Sequence, residues 1–329
     1  MANVDYDISR SSTSVVFPGQ GTQRAGMGRD FHDWSPAARL VFEEASDALG
    51  LDLRSLCFEE DERLGLTEYA QPAILTTELA MQRAAAAEVG LEASCFGGHS
   101  LGEYSALVAA GALPLAAAVR LVRERGRLRQ EAVPVGRGGM TAVIGDDLDR
   151  GAIAAALTGL EVAIANENSS EQLVLAGLAA DLDVARSRLS EVFGEGGARF
   201  VELEVSAPFH SPLMAGIEPA FAARLDDARG RFDVACAGLV TSNFTGGFHA
   251  SDGDALVDAL TRQISGTVRW RSNMEALLER STEVVEIGPG RPLRAFFKTI
   301  GVAVKSITDV RSATRLARHP EPARARGVA

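Results

Sequence analysis

Gly98-His99-Ser100-Leu101-Gly102 is a G-x-S-x-G motif set between a short apolar run and a stretch with helical apolar spacing, and no other part of the chain constrains the fold as much. Ala93 to Phe96 reads as a buried strand. Leu101 to Ala110, with Leu101, Tyr104, Ala106, Leu107 and Val108 at helical spacing, reads as a helix packed on a sheet. A serine on such a strand-turn-helix elbow sits in a strained backbone. Glycines two residues to either side let strand and helix approach closely and leave the hydroxyl at the helix N-terminus, where the dipole favours developing negative charge. Ser100 is therefore a candidate nucleophile. The alternative is a glycine-rich turn with an incidental serine, against which the flanking strand and helix argue.

A chain of 329 residues with 46% hydrophobic content buries a sizeable core, as one large domain or two smaller ones. No apolar run approaches the length of a membrane span, and Met1 to Ser14 is polar and acidic rather than a basic leader, so we expect no membrane and no export. Cys57, Cys95 and Cys236 are odd in number, lack metal-ligand spacing and lie in or beside apolar segments. They read as reduced core residues of a cytoplasmic protein. The formal net charge of -11 argues against a general nucleic-acid binder, and any acidic partner must meet a local basic patch.

Ahead of the elbow, Ser14 to Phe17 is a short strand that breaks at Pro18, followed by the loop Gly19-Gln20-Gly21-Thr22-Gln23. Helices are expected from Ser35 to Leu49, from Gln71 to Val89 and from Leu115 to Gln130; the last carries arginines at 120, 123, 125, 127 and 129. Composition changes at Pro134 to Gly139, which reads as a hinge. Beyond it the spacing predicts strand (Met140 to Ile144), helix (Asp147 to Leu157), strand (Glu161 to Ala165), strand (Gln172 to Ala176), helix (Asp181 to Phe193) and strand (Arg199 to Leu203). That order is a ferredoxin-like unit inserted into a larger one. Apolar strands resume at Leu239 to Ser242, Glu283 to Ile287 and Val302 to Ile307, which implies a mostly parallel sheet covered on both faces. The chain thus divides into 1–134 and 205–311 of a large α/β domain, an inserted small domain at 135–204, and a loose tail at 312–329.

A serine nucleophile needs a base, and the choice is among His32, His99, His210, His249 and His319. His210 is the best candidate, because it lies in the proline-bracketed loop Ser206-Ala207-Pro208-Phe209-His210-Ser211-Pro212 just after the inserted unit. His99 sits on the far side of the tight turn, His32 and His249 in polar surroundings, and His319 in the tail.

These motifs together resemble the malonyl-CoA:acyl carrier protein transacylases and the acyltransferase domains of polyketide synthases. The resemblance runs from about Val15 to Thr308 and rests on Phe17-Pro18-Gly19-Gln20-Gly21-Thr22-Gln23, Ala70-Gln71-Pro72-Ala73, Gly98-His99-Ser100-Leu101-Gly102-Glu103-Tyr104, Arg125-Gly126, Phe209-His210-Ser211 and Glu286-Ile287-Gly288-Pro289-Gly290. It implies an α/β-hydrolase-like large domain with a parallel sheet, an inserted ferredoxin-like domain, and a site in the cleft between them. Ser100 would carry the acyl group and His210 would act as general base and then acid. Gln263 would orient His210 through its backbone carbonyl. The backbone N–H groups of Gln20 and Leu101 would form the oxyanion hole, and Arg125 would pair a malonyl carboxylate, with Gln71, His99 and Phe209 lining the substrate site. The resemblance further implies acyl-CoA or acyl-phosphopantetheine as substrate, an acyl carrier protein as partner, and no metal or bound cofactor. Arg129 departs from the methionine or leucine usual there and leaves the identity of the acyl group open. Two alternatives stand beside the malonyl transferase: a transferase shuttling a larger acyl chain between two carrier proteins, and an editing hydrolase. For carrier docking the candidates are Arg269, Arg271, Arg291, Arg294 and Lys298, since a net-negative chain needs a local basic patch to meet an acidic carrier.

Overall fold

The computed structural model describes residues 12–134, 136–205 and 207–318. Four short strands form a parallel sheet: β1 (Thr13–Phe17) is central, with β2 (Cys95–Gly98) on one side and β7 (Glu283–Ile287) then β8 (Val304–Ile307) on the other. Val15, Val16 and Phe17 are fully buried, as a strand covered on both faces requires. The register pairs Phe17 with Gly98, so the end of β1 lies beside the glycine that leads into Ser100.

A second, antiparallel sheet is built from β3 (Gly138–Ile144), β4 (Val162–Glu167), β5 (Gln172–Leu178) and β6 (Arg199–Glu202), in the order β4-β5-β3-β6. With the helices Arg150–Ala156 and Ala179–Phe193 it has the ferredoxin-like arrangement expected from the pattern. One edge of this sheet is tied to the rest of the molecule: Asn166 bridges Val268, the Val268 N–H donates to Ala165 (2.8 Å) and the Glu167 N–H to Val268 (2.9 Å).

The largest core lies between the helices Pro36–Leu49, Thr67–Val89 and Leu115–Glu131 and the parallel sheet. The first is capped by Ser35, whose hydroxyl accepts from the Ala37 N–H, with Pro36 at its first position. The second begins at Thr67, not at Gln71. The turn before Pro72 is helical too, and the proline forgoes the one hydrogen bond that an N–H at this position would make to the Glu68 carbonyl.

Three other expectations are corrected. The strand expected at Leu239–Ser242 makes a single rung, Phe96 to Val240, because Thr241 pairs instead with Phe248 and turns the chain away. Cys57 and Cys95 are buried, but Cys236 is only half-buried on the short helix Val234–Ala237; all three are free thiols. The tail expected to be loose from Ser312 opens as a helix, Val310–Arg318, with Ala313 fully buried. Its arginine-rich sequence hides a reciprocal cap: the Ser312 N–H donates to the Asp309 carboxylate (2.7 Å), and the Asp309 N–H to the Ser312 hydroxyl (3.1 Å). His319 and the rest of the tail lie outside the described residues.

That cap is testable. The Ser312 N–H holds the Asp309 carboxyl below its usual value, so the cap's contribution is present at neutral pH and lost as pH falls and the carboxylate is protonated. Asp309→Ala should cost about 1 kcal/mol at pH 7. In thermal melts its difference from wild type should close below about pH 4.

Candidate active site

Strand β2 ends at Gly98 and the elbow helix spans Gly102–Ala109, leaving Ser100 at φ 54°. A Cβ on Gly98 would lie 2.0 Å from the Gly102 carbonyl, and one on Gly19 would lie 2.6 Å from the His99 carbonyl oxygen. Glycine therefore allows both the elbow and the 19–23 loop to close on Ser100. The second residue held in the left-handed region near the site is His210, at φ 58°. Such strain persists only where surrounding contacts over-determine it.

Those contacts centre on Gln263, the residue that follows the helix Gly253–Arg262. Its backbone carbonyl accepts from His210 Nδ1 (2.8 Å), which fixes the proton on Nδ1 and leaves Nε2 as acceptor, 2.7 Å from Ser100 Oγ. Its side-chain oxygen accepts from Arg125 Nη2 (2.8 Å), while its Nε2 donates to the Ser100 carbonyl (3.0 Å) and to Glu103 (2.6 Å). Arg125 is fully buried and donates from Nη1 to Gln71 Oε1 (2.9 Å) and from Nη2 to Ser100 Oγ (3.2 Å). Among the described residues, neither the Gln20 nor the Leu101 backbone N–H has a hydrogen-bond partner; the Gln20 side chain is turned to Thr67 Oγ1 (3.3 Å).

Several residues that complete the site have no role that the sequence assigns. Asn243 accepts from the Ser100 N–H through Oδ1 (2.5 Å) and donates to the Gly98 carbonyl (2.7 Å) and to Asn273 (3.0 Å). Glu103, wholly buried, accepts from the Asn243 N–H (3.0 Å) and contacts His249 Nε2 (2.8 Å). His249 is thus a buried partner of Glu103, not the solvated residue its polar neighbours in sequence predict. His99 Nε2 meets Asn168 Oδ1 just beyond the end of β4 (2.8 Å).

Phe209 is buried beneath Arg129, whose guanidinium carbon lies 4.2 Å from the ring centroid. Arg269, Arg271, Arg291, Arg294 and Lys298 are all exposed. Their two segments meet through Trp270 and Phe297, with ring centroids 6.1 Å apart, next to His99, which lies 5.7 Å from Trp270 and 6.4 Å from Phe296. Arg271 is engaged by Glu275 (3.3 Å). Among the described residues there is no cluster of metal-ligating side chains, and no helix is long and apolar enough to cross a membrane.

A hydroxyl facing an unprotonated ring nitrogen, beside two open N–H donors, is built for acyl transfer through a serine ester. The sequence matches the acyl transferase domain family over residues 15–313. The chain belongs to that family. This acyltransferase is 40% identical to the malonyl CoA-acyl carrier protein transacylase of Bacillus subtilis strain 168 over 304 residues, 90% of this chain and 93% of that one. It is 39% identical to the enzyme of the same description from Escherichia coli K12, over 87% of this chain and 92% of that one. Among solved structures, the malonyl CoA-acyl carrier protein transacylase of Clostridium perfringens superposes with a TM-score of 0.85 at 34% identity, covering 94% of this chain and 96% of that one. A malonyl-transacylase solved in complex with a type II PKS acyl-carrier protein superposes with a TM-score of 0.84 at 35% identity, covering 94% and 99%.

Burial holds His210 well below the ordinary imidazole range, and the charges of Arg129 and Arg125 push the same way. The ring is therefore neutral at neutral pH. The rate of Ser100 acylation should stay level as pH falls from 8 through the ordinary imidazole value of about 6.5. A loss of half the rate near that value, in stopped-flow acylation, would show a ring that charges normally.

Proposed function

We propose that the enzyme moves a malonyl group from a CoA thioester to Ser100 and then to the phosphopantetheine thiol of an acyl carrier protein. The observation that carries this reading is the fully buried Arg125 guanidinium, 3.2 Å from Ser100 Oγ. A planar guanidinium held beside the acylated atom suits a carboxylate two carbons beyond the ester carbonyl. An editing hydrolase for varied acyl chains gains nothing from it.

In the first half-reaction His210 Nε2 takes the Ser100 proton as Oγ attacks the thioester carbonyl. The N–H groups of Gln20 and Leu101 receive the oxyanion, each such donor contributing about 3 kcal/mol to the transition state. Collapse expels CoA, whose sulfur takes the proton from His210. In the second half-reaction the carrier thiol gives its proton to His210 and attacks the ester; collapse returns the proton to Ser100 Oγ. The reading calls on no metal or redox group, and three free thiols fit a reducing cytoplasm. It divides the chain into a large unit, 1–134 with 205–311, and a small unit, 135–204, with Ser100 and His210 in the cleft between them.

Intact-mass measurement after incubation with malonyl-CoA should show a Ser100 adduct that Ser100→Ala abolishes. Arg125→Ala should slow acylation by malonyl-CoA far more than by acetyl-CoA, which has no carboxylate to leave unpaired; equal losses would mean a structural arginine.

For the carrier we propose docking across Arg269, Arg271, Arg291, Arg294 and Lys298. The helix Leu293–Thr299 carries two of these residues and is anchored by Glu286, which accepts from the Leu293 (2.8 Å) and Arg294 (3.1 Å) N–H groups. Reversing Arg294 and Lys298 to glutamate together should weaken transfer to the carrier and reduce its salt dependence, leaving acylation by malonyl-CoA nearly unchanged. Undiminished carrier transfer at low salt would place docking elsewhere.

A further inference from the structure

We propose that Arg129 is a second binding residue for the substrate carboxylate, so that the malonyl group is held between two guanidinium groups. This rests on the malonyl reading above and adds a contact to it.

Arg129 follows Arg125 by one turn of the helix Leu115–Glu131, which places both side chains on one face. It is only 2% exposed, yet it forms no ion pair and no side-chain hydrogen bond among the described residues, and its buried Nε has no partner. Among the described residues its one specific contact is with the face of Phe209, the residue before His210. An uncompensated buried charge is strongly unfavourable, so a guanidinium kept in this state marks a place where an anion is received.

The surrounding polar atoms agree. Arg125 Nε, Gln71 Nε2 and the Tyr104 hydroxyl are also buried without partners, and all can donate. The Arg125 guanidinium carbon lies 5.5 Å from the centroid of the Tyr104 ring, and the charges of Arg125 and Arg129 both act on the Tyr104 hydroxyl. The carboxylate that faces this group is Glu103, but its oxygens are occupied by His249, Asn243 and Gln263. Glu78 is bonded to Ser105 (2.5 Å), and burial raises its carboxyl well above the usual range, towards the neutral form. Two guanidinium charges therefore face one carboxylate. A malonyl group carries the missing negative charge; an acetyl group does not. Arg125 gives three of its five N–H groups to Gln71, Gln263 and Ser100, and Arg129 adds donors without a partner among the described residues.

The test compares Ser100 acylation by malonyl-CoA and acetyl-CoA, followed by intact mass, in wild type, Arg129→Met and Arg129→Lys, with a melting curve for each. Arg129→Met should lower the malonyl-to-acetyl rate ratio by at least about tenfold, as loss of a charge-assisted contact implies, and should raise the melting temperature of the substrate-free protein by removing an unpaired charge. Arg129→Lys, which keeps the charge but not the planar fork, should give an intermediate ratio. A folded Arg129→Met protein with a ratio within about twofold of wild type would overturn the proposal. So would an Arg129→Met protein that fails to fold, because the guanidinium would then be a structural element. A wild-type enzyme with no preference for malonyl over acetyl would instead overturn the malonyl reading itself.

Discussion

His210 is held by a peptide carbonyl, not by a carboxylate, and that carbonyl belongs to Gln263, whose side chain also holds Arg125 and reaches Glu103. A carbonyl fixes the imidazole tautomer as well as an acid does while bringing no charge. Burial, together with Arg129 and Arg125, already biases His210 towards the neutral form, whereas a buried aspartate would oppose them and raise the ring's affinity for a proton. The His210 ring, the Arg125 guanidinium and the Ser100 backbone thus share one residue, and a shift of Gln263 moves all three together.

Around Gln263 the polar groups form a closed set. Glu103, Asn243, Asn273 and His249 satisfy one another across segments far apart in the chain, and Asn243 bonds to both the Ser100 N–H and the Gly98 carbonyl. Satisfied networks of this kind fix a unique geometry, and their partial disruption is costly because the remaining groups stay buried. The elbow is therefore rigid for two independent reasons: tight glycine packing on one side and bidentate bonding by Asn243 on the other.

Much of this was legible in the chain. The elbow, the glycine loop, the proline-bracketed histidine and the alternating segments of the antiparallel sheet each have a local pattern, and each occurs close to where the pattern puts it. What was not legible depends on distant pairing. Asn243 and Glu103 are separated by 140 residues, and an isolated asparagine or histidine says nothing of its partner. The segment around Val240 has strand composition but only one rung, since register with Phe96 is a tertiary matter. The helix at Val310–Arg318 was masked by arginines, although Asp309 and Ser312 had the spacing of a cap. Arg129 was visible as an oddity, while its burial against Phe209 was not.

The left-handed backbone at Ser100 restricts which nucleophiles the fold admits. A threonine hydroxyl has nearly the same chemistry, but a β-branched side chain at φ 54° is sterically disfavoured, and the glycine contacts on either side leave the turn no room to relax. The primary alcohol is therefore selected by main-chain geometry before reactivity is at issue. A step from serine to threonine at this position is opposed by the shape of the elbow itself.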